Sequence, residues 1–311
     1  MLTDRRNFLK TAALAPLSSL SAFAAAPSTC GLGIGTYGLQ SLSLIAAIQL
    51  VGKTGYNAIE ITTFPDYTGS PEALKGKEKR LEIQRELGNQ NLRLCALMAD
   101  LHPEKDKEKH LAQLEQLKGL IELARDLSPD NPPLLQTVLG GKKWEDSREL
   151  FRDRIADWVQ IAADQRVTIS IKPHRSHAMS VPEEANWLIQ QLGSPRRLKM
   201  VYDYSHYSFH EPPLSITDTV ATAFKNTNYI AVKDAMERDG KVQFTLAGSS
   251  GIVDHSEIVR EFYTRGYRGD FCCEVSSQIW RNNPNYDPLA ATKLCFKNMK
   301  AAFEKAGVSL A

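Results

Sequence analysis

The sequence predicts a single closed (β/α)8 barrel of the TIM type, and three observations carry that expectation. Short β-rich runs alternate eight times with longer amphipathic runs, which implies parallel strands joined by helical crossovers. The strand starts fall about 34 residues apart between Leu32 and Asp270, and no Pro/Ser/Gly-rich linker divides the chain. A length of 311 residues, 42% hydrophobic and 24% charged, suits one packed domain and excludes disordered, collagenous and coiled-coil chains. A doubly wound open sheet is the alternative. The first strand's Gly33-x-Gly35 lacks the rest of a dinucleotide fingerprint and gives it little support.

The strands are expected from Leu32, Asn57, Leu92, Leu134, Val167, Leu198, Asn228 and Asp270, each a short apolar or β-branched run. Helices are expected over Leu44–Gly52, Glu78–Asn89, Lys107–Leu127, Arg148–Asp164, Pro182–Gln191, Ile216–Phe224, Ser256–Arg265 and Leu289–Lys305. In the third helix Leu111, Leu114, Leu117, Leu120, Ile121 and Ala124 recur at three and four, the spacing of one buried face. The fifth opens on Ser180-Val181-Pro182-Glu183-Glu184, a cap with an early proline and first-turn acids. Gly140-Gly141-Lys142-Lys143-Trp144 and Gly248-Ser249-Ser250-Gly251 read as surface turns.

Residues 1–24 read as an export signal ahead of a barrel over residues 25–311. Arg5-Arg6 followed by Phe8-Leu9-Lys10, an apolar run and a closing Ala22-Phe23-Ala24 resemble a twin-arginine signal, so a periplasmic, exported protein is expected. The apolar run is too short, and too broken by Ser and Pro16, for a membrane span. The leader takes three basic residues and one acidic residue with it, so the formal charge of +2 becomes zero. A neutral chain argues against nucleic acid as a partner. Cys30, Cys95, Cys272, Cys273 and Cys295 contain no C-x-x-C, and buried free thiols are the favoured reading, with any pairing open.

In an α/β barrel the reactive groups stand at the C-terminal strand ends. Here those ends carry Glu60, Asp100 with His102, Gln136, Lys172 with His174, Asp203 with His206, Lys233 with Asp234, and Glu274. Such groups are expensive inside apolar strands unless they pair or bind a ligand. The strings Ile171-Lys172-Pro173-His174, Val201-Tyr202-Asp203-Tyr204-Ser205-His206, Val232-Lys233-Asp234 and Cys273-Glu274-Val275 resemble, in this order and spacing, the xylose-isomerase-like sugar (phosphate) isomerase/epimerase superfamily. The resemblance spans Leu32 to about Gly307. It implies a barrel acting on a sugar or polyol, usually with one divalent metal held by Glu, Asp, His and Glu from strands five to eight. Asp203 and Glu274 match two of these ligands; Lys172 and Ala231 stand at the other two.

Two repairs are open. Lys172 takes the metal's place, supplies the positive charge and stabilises a developing enediolate, while Glu274 or Glu60 moves the proton. Otherwise manganese, zinc or magnesium sits in a shifted site of Asp203, His206 and Glu274, perhaps with His174. His174, His206, Lys233, Trp280 and Arg281 are the candidate substrate contacts. The leading functional expectation is a sugar isomerase or epimerase that moves a proton next to a carbonyl of an unphosphorylated sugar or polyol. A lyase or hydrolase of oxidised sugars or glycosides, and a non-catalytic sugar-binding barrel, are the alternatives. The sequence leaves the oligomeric state open.

Overall fold

The structure, a computed structural model, describes residues 29–311; the expected export signal lies outside the described residues. Eight strands close into a barrel in which every neighbouring pair is parallel. They are β1 (Gly31–Gly35), β2 (Ala58–Thr62), β3 (Arg93–Met98), β4 (Leu134–Thr137), β5 (Ile169–Ile171), β6 (Leu198–Tyr202), β7 (Thr227–Val232) and, after a hairpin of β8 (Asp234–Arg238) and β9 (Lys241–Thr245), β10 (Asp270–Cys273). The ring order is β1, β10, β7, β6, β5, β4, β3, β2.

The crossover helices are α1 (Leu44–Thr54), α2 (Lys77–Asn89), α3 (Lys107–Leu127), α4 (Trp144–Gln165), α5 (Pro182–Gln191), α6 (Ile216–Ala223) and α7 (His255–Thr264). A short α8 (Ser277–Trp280) and α9 (Pro288–Ala306) complete the chain. Their starts follow the capping chemistry: Ser43, Asp106, Ser215, Asp254 and Asp287 each accept a first-turn backbone N–H. α4 begins four residues before its expected start, because Trp144 packs edge-on against Trp187 and so extends the buried stripe.

Successive strand residues face opposite sides, and that period of two sorts the barrel. Leu32, Ile34, Ile59, Ile61, Ile169, Ile171, Ile230 and Val232 point outward into the main core beneath the helices. Full burial of each such side chain stabilises by roughly 1.5–3 kcal/mol. The inner face is plugged by Ala58, Cys95, Ala96, Val201, Ala231 and Cys272 around the one large ring of Tyr229, and a register shift between β2 and β3 lets the consecutive Cys95 and Ala96 both join it. All five cysteines are buried and free.

At the N-terminal floor Arg93 and Asp270, the first residues of β3 and β10, form a forked ion pair, with Nη1 donating to Oδ2 at 2.6 Å. The C-terminus seals this end: Ala311 N donates to Cys30 O at 2.9 Å and Asn57 Nδ2 to Ala311 O at 2.8 Å.

The β8–β9 hairpin was not expected. Its turn, Asp239-Gly240, has positive φ at both residues, the conformation that a two-residue hairpin turn requires. The expected surface turn at Gly248–Gly251 has a more specific task. Ser250 N, Gly251 N, Val253 N and Ala235 N all donate to the carboxylate of Asp234, so this buried acid anchors the hairpin and its return loop. Asp234, expected among the polar strand-end residues, is a backbone anchor.

Candidate active site

Four consecutive strands of the ring deliver one charged residue each, immediately after their last strand residue. Lys172 follows β5, Asp203 β6, Lys233 β7 and Glu274 β10. Each continues the inward-facing series of its strand, after Ser170, Val201, Ala231 and Cys272, so all four side chains turn into the C-terminal mouth. Ala231, expected at a ligand position, lies one pleat deeper, in the apolar plug.

The four side chains form one buried ionic cluster. Lys172 Nζ donates to Glu274 Oε2 at 2.5 Å and to Asp203 Oδ2 at 3.4 Å. Lys233 Nζ donates to Asp203 Oδ2, to Glu274 Oε1 at 2.9 Å and to His206 Nε2 at 3.0 Å. Ser205 Oγ donates to the other Asp203 oxygen, Oδ1, at 2.6 Å. An ammonium has three donors and no acceptor. Lys233 therefore spends all three on protein acceptors, whereas Lys172 keeps one free. His206 Nε2 also lies 3.3 Å from Asp203 Oδ2, so it stands between an ammonium and a carboxylate, while Nδ1 has no hydrogen-bond partner among the described residues.

Sequence reasoning expected a single ammonium opposite two carboxylates; the structure places two. It also missed Phe244 of the hairpin, whose ring lies 5.0 Å from Lys233 Nζ and 5.0 Å from the His206 ring, covering both. The Asp239-Gly240 turn signal could have found it.

Burial raises the proton affinity of Glu274, but Lys172 and Lys233 outweigh it and hold its carboxyl down at about 2. Asp203 is likewise held well below the carboxylate range, burial being overcome by Lys233, His206 and Lys172. Burial pushes Lys172 down, and Glu274 and Asp203 together push it higher than an ordinary lysine. Burial and then Lys233 lower His206 to about 4, so its ring is neutral at pH 7.

Glu60, the inward residue after Ala58 on β2, behaves oppositely. Its Oε2 accepts from Gln136 Nε2 at 2.7 Å and from Tyr229 Oη at 2.8 Å. No described residue donates to Oε1. Burial, then the charge of Glu274, push its carboxyl up to about 7. The space for it comes from Gly35 on the paired strand, where a Cβ would stand 2.7 Å from Glu60 Oε1. Gly35, given no role by the sequence beyond an incomplete Gly33-x-Gly35, is thus a steric allowance for an acid.

The remaining expected residues fall on two sides of the mouth. His174 stacks on His206 with ring centroids 3.9 Å apart and on His177 at 4.6 Å, and its Nδ1 meets Arg175 O at 2.6 Å. Burial, then His206, hold it far below an ordinary histidine. Asp100 and His102 pair at 2.9 Å. Trp280 donates Nε1 to Val275 O at 3.2 Å and packs edge-on against Tyr37, with Arg281 5.5 Å from its ring. None of these partners belongs to the ionic cluster, so Trp280 and Arg281 are placed on a separate aromatic rim with Tyr37, Phe64 and Tyr67.

The profile of the xylose isomerase-like TIM barrel family matches residues 48–299. This chain belongs to that family. Among solved structures of the same fold is an apo 3-keto-D-glucoside 4-epimerase from E. coli. It is 11% identical, with 88% of this chain and 100% of that chain covered at a TM-score of 0.65. An L-ribulose 3-epimerase is 16% identical, covering 90% and 97% at 0.67. A xylose isomerase-like barrel from Mycobacterium smegmatis in complex with magnesium is 16% identical, covering 89% and 98% at 0.68. At these identities the likeness establishes the fold. A search of curated proteins gives no significant sequence match.

A divalent ion does not fit the donor set that this family member presents. The expected shifted centre of Asp203, His206 and Glu274 is assembled, but around the ammonium of Lys233. With Lys172 beside it, a divalent ion would face like-charge repulsion from two ammoniums and compete for lone pairs already used. Among the described residues as they stand, with both lysines in place, no group of three or more His, Cys, Asp and Glu could hold a metal ion. The expectation of Lys172 in the metal's place also shifts, because Lys233 is the group at the centre of those three acceptors. Among the described residues no helix is long and apolar enough to cross a membrane.

Proposed function

We propose that this barrel is a sugar or polyol isomerase or epimerase that moves a proton at the carbon next to a carbonyl, using its own ammonium groups as the cationic element. The observation that carries the reading is a division of labour between two buried carboxyls in one mouth: Glu274 is held ionised by two lysines, while Glu60 titrates near pH 7. A proton carrier works best with a pKa close to the working pH, and of these two carboxyls Glu60 meets that condition. Its Oε1 takes the proton from the carbon, and the electron pair moves onto the neighbouring carbonyl oxygen. The free N–H of Lys172 donates to that oxygen and stabilises the enediolate. Release of that proton to water and protonation of the opposite face of the same carbon from solvent give an epimer; its delivery by Glu60 to the neighbouring carbon, with a hydroxyl proton transferred between oxygens, gives an isomer.

Glu274 and Asp203 hold Lys172 and Lys233 in place, so of the two acids considered for proton transfer Glu60 is the carrier and Glu274 the anchor. Sugar epimerases among the structures of like fold support a small sugar as substrate. The test is deuterium incorporation from D2O into a panel of free ketoses and 3-keto-glycosides, followed by proton NMR. Exchange beside the carbonyl is expected, and its absence across the panel with folded protein would overturn the reading. Release of an unsaturated product without exchange would replace it with β-elimination.

Export belongs to the proposal as well. It is supported by the order Arg5-Arg6, apolar run and Ala22-Phe23-Ala24. Periplasmic recovery that fails on changing Arg5 and Arg6 to lysine is the expected result; unchanged cytoplasmic recovery of both proteins contradicts it.

A further inference from the structure

We infer that the Lys233 ammonium is this barrel's resident cation, and that shortening Lys233 uncovers a site for one divalent ion between Asp203, Glu274 and His206. Three acceptors of the type that zinc and manganese take, two carboxylate oxygens and one imidazole nitrogen, converge on a single nitrogen atom. Lys233 answers them with three donors, a one-to-one match that leaves no donor aimed elsewhere. The contacts to Glu274 and His206, at 2.9 and 3.0 Å, are within 1 Å of the roughly 2.0–2.2 Å that a bound zinc requires. The acceptors are also held independently of the lysine: Asp203 by Ser205, Glu274 by Lys172, and the His206 ring by its stack on His174 and Phe244.

The charge count points the same way. Two carboxylates and two ammoniums make a neutral buried cluster. Removal of the Lys233 charge leaves an unbalanced carboxylate in the interior, which a cation of either kind relieves. The inference stands on the cluster alone and does not depend on which reaction the site performs.

The test is calorimetric titration and thermal melting of metal-stripped protein with Zn2+, Mn2+ and Mg2+ alone. The wild type is expected to bind none of them at this site and to keep its melting temperature with or without EDTA. Lys233→Ala is expected to melt lower, to bind one Zn2+ or Mn2+ per chain, and to regain about 5 °C or more at ion concentrations on the order of 100 times Kd. The double variant K233A/E274Q is expected to lose that response, and Lys233→Met, whose side chain still fills the space, never to acquire it.

Folded K233A that responds to none of the three ions would overturn the inference. So would tight one-to-one binding by the wild type that Glu274→Gln abolishes. Should K233A not fold even with an ion present, the wild-type titration and the Lys233→Met melt decide between the same two results.

Discussion

The two ends of the barrel both carry ion pairs, and they differ in what those pairs leave over. At the floor Arg93 and Asp270 are matched fork to fork, the arginine side chain is 44% exposed, and the chain terminus closes the space beyond. At the mouth four charges from four strands are buried together, yet three hydrogen-bonding positions have no partner among the described residues: the third N–H of Lys172, Nδ1 of His206 and Oε1 of Glu60. Charge alone does not mark the working end. Spare, aimed hydrogen-bonding capacity in a desolvated place does, because a ligand can take it up without first breaking an existing pair.

Substitutions at the two ends separate these properties. The largest effect is expected from Asp203→Ala, which strands two ammoniums against one carboxylate in the interior. A loss of about 3–5 kcal/mol in urea denaturation is expected, with all turnover gone. Lys172→Met removes a donor to the reacting oxygen while Lys233 still bridges Asp203 and Glu274. Turnover is expected to fall about 10²–10³-fold with the fold retained, as measured by far-UV circular dichroism alongside the exchange assay.

The pH dependence sharpens the contrast between the two mouth carboxyls. Glu60 rises from 4.5 to about 7 on folding, so the native state holds its proton more tightly than the unfolded chain. Its contribution to stability is complete below pH 4.5 and is lost as pH climbs through 7, on the order of 3 kcal/mol in all. Glu274 is lowered to about 2 and has the opposite sign: its contribution is present above pH 4.5 and is lost as pH falls through 2. In Glu60→Gln the decline between pH 4.5 and 7 is expected to vanish from urea midpoints. The rise of kcat/KM through pH 7 should vanish with it.

Gly35→Ala reaches the same carboxyl sterically. The added methyl is expected to displace Glu60 Oε1, destabilise by about 1–3 kcal/mol and lower kcat more than it raises KM. The smallest effect is expected at the floor, where Arg93→Ala is predicted to cost about 1 kcal/mol and to leave kcat/KM unchanged.

How far the sequence could be read follows from the range of the forces involved. Strand and helix periodicity is local, so the eight strands and the helices from Leu44 to Ala306 were legible almost residue by residue. The rule that reactive groups stand at C-terminal strand ends likewise brought Lys172, Asp203, Lys233 and Glu274 to the mouth. What escaped was mutual position. Nothing in the neighbours of Lys233 says that its ammonium ends on Asp203, Glu274 and His206 rather than in solvent. The role of Gly35 was not legible because it depends on Glu60, 25 positions away and its register partner on the neighbouring strand. The hairpin was legible in Asp239-Gly240, but its purpose, laying Phe244 over Lys233, was not.

The most direct measurement is deuterium wash-in by chelator-treated wild-type protein, followed in one sample before and after addition of Mn2+. A built-in pair of ammoniums with Glu60 as proton carrier requires exchange at the carbon beside the carbonyl from the start, at a rate that the ion leaves unchanged. Exchange that begins only when Mn2+ is added would contradict the account.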